Sequence, residues 1–152
     1  MRWFQKAADQ GHAAAQNGLG MLYLEGFGVA HSYSKAVEWW QKAAKQDHDG
    51  AQQNLGFCFE CGNGVVKNEV EAVRWYKKAA VQGLPVAQCS LGVMLEEGRG
   101  VAQSRAEALR WLQKAADQGD TEAQERLAFR CTCGGGLLGP SGELGRPCRC
   151  SE

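Results

Sequence analysis

Nowhere does the chain contain a run of about 18 apolar residues, so it offers no helix suited to crossing a membrane. The opening residues Met1-Arg2-Trp3-Phe4-Gln5-Lys6 lack the apolar stretch of a signal peptide, and the expected location is cytoplasmic. Net charge is also missing, because 17 Lys and Arg balance 17 Asp and Glu. A balanced chain lacks the broad positive potential that nucleic acid or acidic lipid requires, so neither is an expected partner. Histidine is scarce: His12, His31 and His48 are too scattered for a catalytic or metal constellation. No nucleophile, base and orienting carboxylate fall together, and the expectation is a non-enzymatic protein without a cofactor.

What the sequence does contain is a repeat. Trp3, Trp39, Trp75 and Trp111 stand 36 residues apart, as do Lys6, Lys42, Lys78 and Lys114. The same offset relates Ala15-Gln16, Ala51-Gln52, Ala87-Gln88 and Ala123-Gln124, and then Leu19, Leu55, Leu91 and Leu127. A Gly-x-Gly-Val punctuation recurs at 26–29, 62–65 and 98–101. Fixed self-similarity of this length marks a stacked array of supersecondary units.

Each unit reads as two helices. First helices are expected near 13–25, 49–61, 85–97 and 121–131, each of the first three ending at a glycine suited to a C-cap. Second helices are expected near 32–46, 68–82 and 104–118, with a truncated copy at 1–10. Ser104 with Glu107, and Asn68 with Glu71, have the spacing of a capping box, whereas Ser32 is followed by Lys35 and supplies only half of one. Pro85 falls where a helix can begin without losing an amide bond. On the second helices Ala36, Val37, Trp39, Trp40 and Ala43 recur one and two units later as a broad apolar stripe. One helix pair cannot bury that stripe, so successive pairs must stack. The recurring tryptophans are accordingly expected in the core rather than as stacking platforms for RNA bases.

The pattern Leu19-Gly20-x-x-Tyr23-x-x-Gly26-x-Gly28-Val29, followed by Lys35-Ala36-x-x-Trp39-Trp40-x-Lys42-Ala43-Ala44, resembles the Sel-1-like repeat, a relative of the tetratricopeptide repeat. That resemblance implies an all-α protein: a right-handed α/α superhelix of antiparallel helix pairs, over residues 1–131, that scaffolds protein complexes. The unit count is a partial repeat, three full repeats and a final first helix. The chain begins inside a second helix, which leaves Trp3 and Phe4 without their covering helix and suggests a fragment. Residues 132–152 hold six Gly and two Pro and are expected to form a disordered tail.

Cysteines offer an alternative function. Cys131, Cys133, Cys148 and Cys150 could supply thiolates to a metal or redox module, although single-residue spacing within each pair is unusual for structural zinc. Cys58-x-x-Cys61 looks like a redox motif by letters only, since it falls at a helix C-terminus where the dipole opposes a thiolate. Gly26-x-Gly28 and its copies lack the preceding strand and third glycine of a nucleotide loop and read as turns.

The resemblance places first helices on a concave face. Groove positions then map onto Ala14, Asn17, Met21, Leu24 and Glu25, next onto Gly50, Gln53, Phe57, Glu60 and Cys61, and last onto Val86, Cys89, Val93, Glu96 and Glu97. These positions vary from unit to unit, so core packing does not dictate them. The second helices, the partial copy included, carry eleven basic and six acidic residues. The first three first helices carry five acidic residues, Glu25, Asp49, Glu60, Glu96 and Glu97, and no basic one. The expected partner is a protein or peptide, basic with apolar anchors, held over a floor of Met21, Phe57 and Val93.

Overall fold

The structure, a computed structural model, describes residues 2–131. Those residues form eight helices and, among them, no strand: α1 (Arg2–Asp9), α2 (Ala13–Glu25), α3 (Tyr33–Ala44), α4 (Asp49–Cys61), α5 (Glu69–Val81), α6 (Pro85–Glu97), α7 (Arg105–Asp117) and α8 (Thr121–Cys131). Even-numbered helices are the first helices of each unit and odd-numbered ones the second. Every helix packs on its neighbours in the chain, most extensively α2 on α3, α4 on α5 and α6 on α7. The segment expected to be a tail lies outside the described residues.

The two glycines of each punctuation have different jobs. Gly62 ends α4 in the left-handed region at φ 79° and donates its amide to Cys58 O at 2.8 Å. Gly64, at φ 72°, lies so close to the start of α3 that an added Cβ would meet the Tyr33 carbonyl carbon at 2.6 Å. One glycine therefore stops a helix, and the next lets the turn rest on the preceding unit.

Helix starts differ from expectation in one respect. Ser104, Asn68 and Ser32 all cap their helices, the Asn68 carboxamide accepting from Val70 and Glu71 amides. No reciprocal half of the capping box forms. The cap amides of Ser32, Asn68 and Ser104 instead donate to Tyr23, Phe59 and Leu95 carbonyls at 2.8–2.9 Å, near the end of the preceding first helix. The turn folds each cap back onto that helix, so the glutamate has no amide left to reach.

Burial follows the repeat. Leu19, Leu55, Leu91 and Leu112 are at most 2% exposed, each contributing about 1.5–3 kcal/mol by leaving water. Trp40 and Tyr76 are equally buried, whereas Trp39, Trp75 and Trp111 are only partly so, and Trp3 is 83% exposed. The tryptophan stripe is thus not a uniform core. Trp39, Trp75 and Trp111 close the seams between units, and a lysine three residues on covers each ring at 4.0–4.5 Å.

Glutamines stitch the units together. Buried Gln16, Gln52 and Gln88 each donate Nε2 to a carbonyl eight residues earlier, at Ala8, Ala44 and Ala80. Each also accepts from a glutamine thirty residues later, Gln46, Gln82 and Gln118, at 2.8–2.9 Å. One first-helix side chain thereby joins the C-terminal ends of two successive second helices, and the buried amides stay satisfied.

Candidate functional site

The first-helix face is assembled by direct contact between successive first helices. Asn54 of α4 donates to Asn17 Oδ1 of α2 at 3.3 Å and lies 3.7 Å from Met21 Sδ. Met21 and Leu24 pack partly buried against the α3–α4 core, and Val93, two units after Met21, packs partly buried against the cluster of Cys89, Leu112, Ala115 and Ala123. Phe57 stands out from this surface, 50% exposed, as does Val86 at 52%. Ala14, Glu25, Cys61 and Glu97 are exposed, Gly50, Gln53, Glu60 and Glu96 half-buried, and Gln53 Oε1 is sealed from solvent without a hydrogen-bond partner.

Two expectations change here. Cys89 is 3% exposed, packed with Leu112, Ala115 and Ala123, so it belongs to the core and offers nothing to a partner. The same position holds half-buried Asn17 and Gln53 in earlier units, and here Ala123 of α8 packs against it.

The acidic rim is largely neutralised from within. Arg99, in the turn after α6, binds Glu60 at 3.0 Å, Glu69 at 3.2 Å and Glu97 at 3.3 Å. Glu60 also accepts from the Tyr76 hydroxyl at 2.6 Å. Glu96 lies 3.8 Å from Arg126 of α8. Neither arginine belongs to the first three first helices: Arg99 occupies the variable centre of the glycine punctuation and Arg126 the fourth first helix. Glu25 keeps its exposed position with no arginine beside it.

The same contacts shift the proton affinity of the groups they join. The Arg99 guanidinium holds the Glu69 carboxyl below its ordinary value of 4.5, against a smaller opposing effect of burial. Burial, helped by the Glu60 carboxylate, raises the Tyr76 phenol above its usual range. The Cys58 thiol is pushed up to about 11 by burial and, secondarily, by Cys61; Cys89 is pushed up to about 12 by burial and by Asp120. Such thiols are protonated at neutral pH and poor nucleophiles, and Cys58, 1% exposed, belongs to the packed core while Cys61 is exposed. Among the described residues no group of three or more His, Cys, Asp or Glu could hold a metal. Cys133, Cys148 and Cys150 lie outside the described residues.

Comparison with known proteins agrees with this architecture. The Sel1 repeat family model matches residues 1–12, 13–48, 50–84 and 85–120. A protective antigen of uropathogenic Escherichia coli with an SLR fold is 40% identical over 87% of this chain and 28% of its own, with TM-score 0.85. A Sel1 repeat protein from Oxalobacter formigenes is 41% identical over 82% of this chain and 51% of its own, with TM-score 0.77. The chain thus spans about a quarter and about half of these two structures. Helicobacter pylori cysteine rich protein B shares the fold at 22% identity, over 81% of this chain and 93% of its own, with TM-score 0.65. No curated protein matches the chain.

Proposed function

The chain belongs to the Sel1 repeat family, whose members are generally protein–protein interaction scaffolds, and from that premise we propose that it binds a protein partner on its first-helix face. The single observation carrying this reading is Phe57, a large apolar side chain left 50% exposed on a first helix. It lies on α4 one turn beyond Asn54, which itself contacts Met21 of α2, so an apolar anchor of the partner has a surface to cover. Apolar contact, rather than charge, is the main determinant. Glu60, Glu96 and Glu97 already hold arginine, and a basic residue of the partner has Glu25 as its available carboxylate.

The test is an affinity capture with the folded repeat region, comparing wild type with Phe57→Ala. Partners held through this face should be lost or fall by about one to two orders of magnitude, the cost of removing an interface anchor. An identical set of partners bound equally well by both proteins would refute the assignment.

A further inference from the structure

A second surface lies on the opposite type of helix. Between α5 and α7 runs a groove of about 600 Å³, floored by Val73, Leu91 and Leu95 and walled by Trp111. Three cations, Lys77, Arg110 and Lys114, stand along it with one carboxylate, Glu107. Lys77 and Arg110 are exposed and have no ion-pair partner among the described residues, in contrast to Arg99 and Arg126 on the first-helix face. Lys114 lies over the Trp111 ring at 4.5 Å, a contact that favours this placement of its charge. An adjacent groove of about 560 Å³ is bordered by Arg74, Lys78 and the same Lys77, again with one carboxylate, Asp47.

We propose that the α5–α7 groove docks an acidic segment of a protein partner, seating one large apolar side chain between Val73 and Trp111 and setting its carboxylates against Lys77, Arg110 and Lys114. Charge complementarity selects the sign, since the rim is cationic and Lys77 and Arg110 are uncompensated. The shape selects a peptide. The apolar floor is recessed beneath lysine and arginine stems, which a protruding side chain reaches and a flat bilayer surface does not. Nucleic acid would need an open aromatic face for stacking, and the Trp111 face is covered by Lys114. The two neighbouring grooves sharing Lys77 give an acidic segment a continuous track across α5.

Fluorescence anisotropy tests this with a labelled peptide, Asp-Glu-Leu-Glu-Asp-Phe-Glu-Leu-Asp, and a control in which Ser replaces Leu and Phe. The amphipathic peptide should bind, and the control should bind about tenfold more weakly. Lys77→Glu with Arg110→Glu should weaken binding by about tenfold or more, with circular dichroism unchanged because both side chains are exposed. Phe57→Ala should leave this affinity unaltered, which separates the groove from the first-helix face. Failure of the peptide to bind, equal binding of peptide and control, or an unaffected double variant would each overturn the proposal. So would binding of oligouridylate or phosphatidylserine vesicles, but not of the peptide, through the same two residues.

Discussion

Gly56 shows how much of the packing is decided by a single missing atom. A Cβ there would meet the Tyr76 ring at 2.5 Å, and at Gly20 the indole of Trp40 is closer still. The unit pairs a glycine on the first helix with a large buried side chain of the second, an aromatic ring in the first two units and Leu112 opposite Gly92 in the third. Because Tyr76 is 1% exposed and tied to Glu60, it has nowhere to retreat. Gly56→Ala should therefore lower stability by about 1–3 kcal/mol despite alanine's better helix propensity. Urea unfolding would read this, and a variant as stable as wild type would show that the contact relaxes. The recurrence of Gly20, Gly56 and Gly92 in the sequence signalled a close approach; which ring fills each gap did not follow from spacing.

At the scale of elements, the decisive link is the turn after α6. Arg99 reaches back to Glu69 at the start of α5, to Glu60 near the end of α4 and to Glu97 beside it, so one side chain ties three helices. The Glu69 carboxyl is held below its ordinary 4.5, chiefly by Arg99. A depressed carboxylate contributes stability that is present above its unfolded value and lost as pH falls through the folded one. Arg99→Ala should consequently be less stable than wild type at pH 7, and the gap should narrow as pH drops below about 4.5. Thermal unfolding across that range would check it, and a gap independent of pH would mean that Arg99 acts by packing alone. Helix bounds were largely legible, because capping residues and glycines mark them. The direction of the cap amides was not, because it depends on how each turn folds over the preceding helix.

For the whole molecule, stability should be graded along the array. Each unit touches only its neighbours, and the two larger buried clusters draw on α3 to α6 and the start of α7. α1 carries Trp3 and Phe4 at 83% and 50% exposure, and α8 carries Phe129 at 75%. Amide hydrogen exchange should be slowest in α4 to α6 and fastest in α1 and α8, reflecting few buried contacts at the ends. Uniform protection throughout would instead indicate one cooperative block.

The charge balance shows where sequence and structure part. Sorted by helix, the neutral total separates into a basic second-helix set and an acidic first-helix set. The basic set keeps that character on its surface at Lys77 and Arg110, while Arg99 and Arg126 cancel much of the acidic one. The sequence by itself determined the helix pairs, their stacking and the recurring alanine and leucine core, because those depend on local periodicity repeated at a fixed offset. Only the tertiary structure decided which carboxylates are spent on internal ion pairs, which variable positions remain open and where a groove forms. Those outcomes depend on residues up to thirty-nine positions apart meeting across neighbouring units, as Glu60 and Arg99 do, and no local pattern encodes that distance.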